Sequence, residues 1–206
     1  MARPRAADYD DHRAQILAAA AALFARRGYT AATMNEVAAA SGVSKATLYH
    51  YVTDKAALLE QIARGHVERL EAVVADVAAR SLPPPAHLQT LIDGFMQTYA
   101  DAQDEHRVLT EDVKFLDDAA RRAVEDGERR VVQAYADAVA AVRPDLGREL
   151  YKPLAMLLFG MINWTFTWLK PGGPLSHAQL GELVGALLAG GLPAVQPVTS
   201  RPDRPR

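Results

Sequence analysis

The stretch TMNEVAAASGVSKATLYHYVTDK, residues 33 to 55, contains the start and stop signals of two short helices. Thr33 and Glu36 stand three residues apart at the start of an apolar run, which is the capping-box signature of a helix N-terminus. Gly42 interrupts the run, and Ser44 offers an N-cap for a second short helix. Two short capped helices joined by a tight turn predict a helix-turn-helix.

The second of these helices carries no carboxylate. From Val37 to Thr53 the sequence has no acidic residue, so nothing in this stretch repels an anion. The side chains expected to be exposed here donate hydrogen bonds to phosphate oxygens or base edges, and they are Ser44, Lys45, Thr47, Tyr49 and His50. The pattern predicts a surface that lies against a phosphate backbone.

The chain as a whole is not basic enough to coat nucleic acid by bulk charge. Its 206 residues include 23 Lys and Arg against 25 Asp and Glu, a formal net charge of -2. Any contact with nucleic acid is therefore expected to be a local patch. With 50% apolar residues the chain is expected to be globular, and the absence of cysteine excludes disulfides, thiolate metal sites and Cys nucleophiles.

No arrangement of residues predicts catalysis. The six histidines show no metal spacing, and no serine lies in a Gly-x-Ser-x-Gly turn. We therefore expect no enzyme activity and no cofactor. No uncharged apolar run is long enough to cross a bilayer, and the N-terminus lacks an apolar signal core, so we expect a cytoplasmic protein with no membrane partner.

The rest of the sequence is predicted to be helical, because apolar residues recur three or four apart and strand-like alternation is absent. Gly28 is predicted to end the first helix, and Thr53 to cap a long fourth helix that stops before three prolines. Further helices are expected at about 86–103, 105–115, 117–142, 147–170 and 176–191.

These helices predict an all-α protein with an N-terminal three-helix helix-turn-helix head and a larger helical domain. We place the head at 1–57, the larger domain at 58–192 and a disordered tail rich in Pro and Arg at 193–206. Arg3 and Arg5 precede the first helix, where a flexible minor-groove arm and an unstructured terminus are both consistent with the sequence.

The stretch TAATMNEVAAASGVSKATLYHYVTDKAALL, preceded by ILAAAAALFARRGY, closely resembles the DNA-binding domain of tetracycline-repressor (TetR) family transcription regulators. The resemblance implies a fold of about nine helices, beginning with this DNA-binding head. It implies phosphate or backbone contacts for Thr33, Tyr49, His50 and Lys55. It implies base-edge contacts for Lys45, Ala46 and Thr47. With Ser44, these residues form the candidate interface for double-stranded operator DNA.

The resemblance also implies a homodimer, because members of this family pair through their last two long helices and bind a small effector in the larger domain. The residues agree, since the helix at 147–170 has large apolar side chains on all faces, Leu157 and Phe159 among them, and needs two partners. Gly181 and Gly185 are predicted to let a helix of a second subunit approach closely. A poorly optimised surface helix is the alternative.

A narrower resemblance concerns KPLAMLLFGMINWTFTWLKPGGPLS and VLTEDVKFLDDAARRAVEDGERRVVQAYADAV. These segments are similar to TetR-type regulators that sense acyl-coenzyme A, most of all to repressors of phenylacetate catabolism, which implies phenylacetyl-CoA as the effector. A CoA thioester needs an apolar slot for its acyl group and cations for its phosphates. The candidate ligand residues are Phe95, Tyr99, Phe115, Arg121, Arg122, Met161, Asn163, Trp164, Trp168 and Lys170.

Each of these ligand residues has an alternative role. Any single aromatic side chain can belong to the core, and any single arginine can lie on a solvated helix face paired with a nearby acid. Asn163 differs, because an amide in an apolar helix needs a buried partner. The function that the resemblance implies is a homodimeric repressor of a palindromic operator, released by an acyl-CoA. A regulator of drug efflux with a promiscuous pocket and a helical ligand carrier are the alternatives.

Overall fold

The structure is a computed structural model that describes residues 4–170 and 172–197. Every regular element in this part of the chain is helical, which confirms the predicted all-α fold. The α-helices are α1 Pro4–Arg27, α2 Met34–Ala40, α3 Lys45–Tyr51, α4 Lys55–Ala79, α5 Pro84–Asp101, α6 Gln103–Asp112, α7 Asp118–Val142, α8 Arg148–Ile162, α9 Thr165–Trp168 and α10 His177–Gly191. Short 3-10 turns at Val113–Phe115 and Leu192–Ala194 follow α6 and α10.

The turns around the short helices form as the sequence predicts, with one correction. Gly28 and Gly42 have φ of 80° and 70°, a left-handed conformation that favours glycine, and they end α1 and α2. The predicted cap of α4 at Thr53 is wrong, because the Asp54 carboxylate accepts the hydrogen bond from the Ala57 amide at 2.8 Å. Asp54 therefore stabilises the exposed amides of the first turn of α4.

The single helix predicted at 147–170 is also wrong, because the structure divides it into α8 and the one-turn helix α9. Asn163 caps the end of α8, and its side-chain oxygen accepts a hydrogen bond from the Tyr99 hydroxyl at 2.9 Å. The residues that follow alternate aromatic side chains with β-branched Thr165 and Thr167, types that lower helix stability. A tertiary hydrogen bond and weak local propensity together account for the break.

The chain forms two compact units. The first unit consists of residues Met1–Arg69 and Asp101–Glu128, and the second of Leu70–Ala100 and Arg129–Arg206. In the first unit the helix-turn-helix shares one apolar core with the first half of α4, with α6 and with the start of α7. Its largest fully buried side chains include Ile16, Phe24, Leu48, Leu58 and Leu59. Burying five such side chains contributes several kcal/mol of hydrophobic stabilisation.

The second unit has an aromatic core built by α5, α7 and α8. Phe95 contacts Tyr135 edge to face, with ring centroids 5.0 Å apart, and Phe159 meets the same tyrosine at 4.8 Å. Tyr99 packs against Phe95 at 6.1 Å. Leu158 and Ile162 of α8 complete the packing, so the buried face of this helix is set by residues three and four apart.

Gly181 and Gly185 do bring a helix close, but it belongs to the same chain. A Cβ atom at Gly181 would lie 3.2 Å from Oδ1 of Asp93, and one at Gly185 would overlap the side chain of Gln89. Both neighbours lie on α5, so the predicted partner from a second subunit is wrong for these glycines. They allow α10 to pack against α5 inside the second unit.

The ends of the chain are described only in part. Arg3, the side chain of Arg5 and the tail from residue 198 onward lie outside the described residues. The start of the predicted tail at Pro193 lies in a 3-10 turn, and Arg143 donates hydrogen bonds to the carbonyls of Leu192 and Val195. Within the described ranges, no helix has the length and hydrophobicity needed to cross a membrane.

Candidate functional site

Helix α3 presents the polar surface that its sequence predicts. Lys45, Ala46, Tyr49 and His50 are exposed, whereas Leu48 on the opposite side is fully buried. The Ser44 hydroxyl caps α3 by accepting from the Thr47 amide at 3.0 Å, and it also lies 2.7 Å from the Thr47 hydroxyl. The exposed groups therefore stand on a helix whose start and whose buried side are both held in place.

The Thr33 cap of α2 forms a reciprocal hydrogen-bond pair with Glu36. The Thr33 amide donates to the Glu36 carboxylate at 2.9 Å, and the Glu36 amide donates to the Thr33 hydroxyl at 3.3 Å. The hydrogen bonds that the Thr33 hydroxyl and then the Thr33 amide donate to the Glu36 carboxylate, with a smaller contribution from Arg27, lower the pKa of the Glu36 carboxyl. The Thr33 hydroxyl also donates to Glu36, so its predicted phosphate contact requires an exchange of partners and stays a prediction.

The Lys55 ammonium group is bound to backbone in this structure. Its Nζ donates to the carbonyl oxygens of Tyr29, Thr30 and Ala32 at 2.9, 3.3 and 2.9 Å, and it lies 4.5 Å from the centre of the Tyr29 ring. Three carbonyls account for all three protons of an ammonium. Lys55 thus ties the start of α4 to the turn between α1 and α2, and its predicted phosphate contact stays a prediction.

The sequence reading missed a second link at the same turn. Tyr29 stacks on Phe115 with ring centroids 5.4 Å apart, and its backbone amide bonds to the carboxylate of Asp112. Burial is the main cause of the raised pKa of Asp112. An aromatic residue directly after the helix-ending Gly28 was the signal for this link, but its partners lie more than 80 residues away in sequence.

The predicted ligand residues divide between the two compact units. Phe115, Arg121 and Arg122 lie in the first unit, and the other seven lie in the second. Arg121 forms ion pairs with Asp118 at 2.7 Å and Glu125 at 3.3 Å, as expected for an arginine on a solvated helix face. Phe115 is occupied by its stacking on Tyr29.

Within the second unit, the structure brings Phe95, Tyr99 and Asn163 together around one aromatic core. Met161 packs at the edge of that core. Lys170 is exposed, and Trp164 and Trp168 are each 52% exposed, so all three lie at the surface rather than in the core. The buried hydrogen-bond partner predicted for the Asn163 amide is Tyr99, which is 2% exposed.

The sequence reading also missed Tyr135. This residue of α7 is 0% exposed, and among the buried side-chain nitrogen and oxygen atoms of the described residues its hydroxyl has no hydrogen-bond partner. Leaving a buried hydroxyl unpaired costs about 1–3 kcal/mol. The signal in the sequence was a single phenol on the otherwise apolar face formed by Val131, Ala138 and Val139.

Large apolar side chains remain exposed on α8 and α10. Met156 and Leu157 lie on α8, and Leu183 and Leu187 on α10, with Leu157 and Leu187 each 66% exposed. Leu183 and Leu187 are four residues apart on α10, and Met156 and Leu157 are adjacent on the exposed side of α8, so each helix carries an exposed apolar stripe. The neighbouring Leu158 is buried, so the apolar side chains that the sequence predicts on all faces of this helix divide into a buried side and an exposed side. A contiguous exposed apolar stripe is typical of a protein interface.

A pair of buried histidines joins α4 to α6 in the first unit. Nε2 of His66 lies 3.2 Å from Nδ1 of His106, and both side chains are almost completely buried. Burial, followed by the neighbouring His106 and Arg69, lowers the pKa of His66 to about 3. Between neutral imidazoles, a hydrogen bond joining these two nitrogens needs both rings in the same tautomer, either both protonated at Nε2 or both at Nδ1.

Comparison with known proteins finds two family models that match this chain. The family model described as "Bacterial regulatory proteins, tetR family" matches residues 16–62, and that described as "Tetracyclin repressor-like, C-terminal domain" matches residues 81–192. A TetR-family transcriptional regulator from Bordetella parapertussis 12822 shares 33% identity, covers 90% of this chain and 98% of its own, and superposes with a TM-score of 0.83.

Two further relatives are named in more detail. The HTH-type transcriptional repressor KstR2 of Mycobacterium tuberculosis is 27% identical over 91% of this chain and 96% of its own length. The crystal structure of AibR in complex with isovaleryl coenzyme A and operator DNA is 26% identical, with a TM-score of 0.73, over 85% of this chain and 97% of that one. Since the C-terminal family model alone spans more than half of the sequence, the chain belongs to the TetR family of bacterial transcription regulators.

Proposed function

We propose that this protein is a homodimeric transcriptional repressor that binds a palindromic operator and is released by an acyl-CoA effector. The head at 1–57 would bind DNA, and the domain at 58–192 would bind the effector and the second subunit. The observation that carries the proposal is the exposed, carboxylate-free face of α3 on a capped and buried base. Two such heads would enter successive major grooves about 34 Å apart.

In this proposal the eight candidate DNA-binding residues divide into two groups. They are Thr33, Ser44, Lys45, Ala46, Thr47, Tyr49, His50 and Lys55. Lys45, Ala46 and Thr47 would face base edges, because they begin the helix that would lie in the groove. The others would hold the phosphate backbone or, for Ser44, cap the helix that carries the contacts. Thr33 and Lys55 would also support DNA binding indirectly, because their hydrogen bonds hold the turns at which α2 and α4 begin.

The exposed apolar stripes of α8 and α10 support the dimer. Met156, Leu157, Leu183 and Leu187 would meet their counterparts across a two-fold axis, which removes the same patch from water on both subunits. Such a self-complementary interface between helices resembles a protein core cut in half. It would also fix the distance between the two heads, which palindromic recognition requires.

The effector class is supported by chemistry and by one relative. The second unit offers an aromatic core beside the half-exposed Asn163 and the surface tryptophans, Trp164 and Trp168, which suits an apolar acyl group attached to a large polar carrier. AibR, at 26% identity, forms a complex with isovaleryl coenzyme A. Release of nearly all bound protein requires about 5.5 kcal/mol of preference for the state that does not bind DNA. Phenylacetyl-CoA remains the specific prediction.

A second effector class has a separate observation in its favour. The structure of KstR2, 25% identical with a TM-score of 0.77, is that of a "ketosteroid transcriptional regulator". A polycyclic ketone is apolar and carries an oxygen acceptor, so the same aromatic core would suit it. A ketosteroid therefore belongs among the test compounds, together with an apolar cation of the kind expected for an efflux regulator.

The test has two stages. DNase footprinting on the DNA upstream of the gene should protect one palindrome, whereas a ligand carrier would protect no discrete site. The protein–operator complex is then titrated with phenylacetyl-CoA, isovaleryl-CoA, free phenylacetate, free CoA, a ketosteroid and an apolar cation. Release by a thioester at concentrations that leave the complex intact with free CoA supports the proposal. Release by the cation alone would replace the acyl-CoA effector with an efflux-type ligand.

A matched pair of variants tests the DNA-binding surface. Lys45→Ala removes an exposed cation from α3, and Lys152→Ala removes one from α8, so both change the net charge equally. Loss of operator binding in the first variant and not in the second would support the role of α3. Equal effects would mean that overall charge, rather than this surface, determines binding.

A further inference from the structure

The unpaired hydroxyl of Tyr135 is a feature that the proposed function does not yet use. A phenylalanine at this position would fill the same space without burying an unpaired polar atom. Its aromatic neighbours, Phe95 and Phe159, contact it through ring edges and offer no hydrogen-bond acceptor. The hydroxyl therefore weakens the ligand-free protein without any compensating bond inside it.

Among the residues that the structure describes, no buried positive charge lies around this hydroxyl. In the described part of the second unit, the side chains buried around Tyr135 are apolar or aromatic, with Thr165 as the buried polar residue. The charged group that acts on Tyr135 is the carboxylate of Asp93, which lies at the surface. An anion placed next to Tyr135 would lose its hydration, would find no buried cation and would be repelled by Asp93.

The hydroxyl is a permanent donor at neutral pH. Burial, followed by the influence of Tyr99 and Asp93, raises the pKa of Tyr135 well above its usual value. A protonated phenol can donate one hydrogen bond to an oxygen acceptor. What the site lacks is thus an acceptor, and the surroundings require that it be uncharged.

The aromatic cluster also has an edge at the surface. Tyr99, which contacts Phe95 as Tyr135 does, donates to Asn163, which is only half-buried and lies at the break between α8 and α9. Phe95 contacts both tyrosines. An apolar group that enters from this edge and displaces core side chains would therefore come close to Tyr135. The cluster therefore has an apolar interior, one unpaired donor inside and polar groups at its rim, which is the usual composition of a small-molecule site.

We propose that the Tyr135 hydroxyl recognises the effector by donating a hydrogen bond to an uncharged carbonyl oxygen, such as that of a thioester. The inference rests on the proposed function and adds the group that recognises the carbonyl of the effector. Because the bond exists only with ligand bound, the donor favours the ligand-bound state of the second unit. It also rejects the free acid, whose carboxylate carries the charge that this core excludes.

The test compares two ligands that differ at the carbonyl alone. Phenylacetyl-CoA is a thioester, and S-(2-phenylethyl)-CoA is the thioether in which a methylene group replaces the carbonyl. Wild-type protein on its operator should be released by the thioester at least about tenfold more readily than by the thioether. In Tyr135→Phe this preference should disappear, whereas Tyr151→Phe, which removes a hydroxyl bound to the Pro144 carbonyl, should retain it.

A measurement without ligand tests the premise independently. Tyr135→Phe should melt at the same temperature as wild type or higher, because it removes an unpaired polar atom. Tyr99→Phe should melt lower, because it breaks the bond to Asn163. A lower melting temperature for Tyr135→Phe would show that the hydroxyl has a partner inside the protein and would overturn the inference.

The outcomes separate the inference from the proposed function. Release that prefers the thioester equally in wild type and Tyr135→Phe overturns the inference and leaves the acyl-CoA effector intact. If no thioester releases the wild-type protein from its operator, the acyl-CoA effector is wrong, and the proposed recognition of a thioester by Tyr135 is wrong with it. Loss of the preference in Tyr135→Phe alone, with an unchanged or higher melting temperature, supports both.

Discussion

The two compact units differ in how they treat their polar and apolar groups. In the first unit the polar groups near the helix-turn-helix are paired, as in the Thr33–Glu36 cap and the three carbonyl bonds of Lys55. The second unit buries an unpaired hydroxyl at Tyr135 and exposes Leu157 and Leu187. In the proposed function, the first unit would offer its exposed α3 surface to DNA, whereas the second would use its unpaired hydroxyl and its exposed apolar side chains to bind a ligand and a second subunit.

The largest effect is expected from charges on the exposed apolar stripe of the second unit. The double variant Leu183→Glu and Leu187→Glu should raise the dimer dissociation constant at least about a thousandfold, because two carboxylates per subunit would lose their hydration. Sedimentation at several concentrations measures this change. Glu182→Gln alters an exposed residue of the same helix and should leave the dimer intact. A dimeric double variant would place the subunit interface elsewhere.

Next in size is the loss of a core side chain beneath the DNA-binding surface. Leu48→Ala should reduce the free energy of unfolding by about 2–5 kcal/mol, since Leu48 is fully buried under α3. Urea denaturation measures the loss. Ala46→Ser changes an exposed neighbour on α3 and should shift the midpoint little. If Leu48→Ala were as mild as Ala46→Ser, the first unit would not have the close packing that we ascribe to it.

Lys55 permits a sharper test of whether the first unit is complete in itself. Lys55→Met should lower the free energy of unfolding by about 1–3 kcal/mol, because three carbonyls lose a charged donor. If those bonds are its whole role, the slope of operator affinity against salt concentration stays as in wild type. The comparison variant Lys45→Met removes an exposed cation and should reduce that slope by about one unit. A reduced slope in Lys55→Met would restore its phosphate contact.

Near neutral pH, the smallest effect is a pH dependence from the buried histidine pair. His66 has a pKa lowered to about 3 in the folded protein, so the unfolded chain binds more protons between there and pH about 6.5. Stability should therefore fall as pH decreases through this range, by about 1.4 kcal/mol per pH unit for one histidine. Urea denaturation at several pH values measures the slope. His66→Phe should flatten it; an unchanged slope would assign the dependence to other groups.

Local chemistry explains why the helix-turn-helix was predictable from the sequence. Thr33, Ser44 and Gly42 each act within four residues of their own position, so their spacing alone indicates the cap or the turn. The wrong cap predicted for α4 also concerns local chemistry, and it misplaces the start of the helix by one residue. Thr53 and Asp54 both suit an N-cap, and the choice between adjacent candidates depends on how the following helix packs.

The second unit was harder to predict because its decisive contacts join distant residues. The break after α8 depends on Tyr99, which is 64 positions away from Asn163, and Gly181 fits α5 rather than another subunit. The sequence shows Tyr135 as a single phenol on an apolar helix face, but the missing partner of its hydroxyl is visible only when the surroundings are known. Periodicity indicated that α8 has two apolar sides, but tertiary packing decided which one is buried.

The Lys55 contacts have a consequence for chemical labelling. An amine whose three protons are held by carbonyls, half-buried beside a tyrosine ring, is shielded from reagents that acylate lysines. Lys45, exposed on α3 of the same unit, has no such shield. The ratio of acylation at these two sites, read by mass spectrometry, would report whether the turn between α1 and α2 is intact. Opening of that turn would become visible without any substitution.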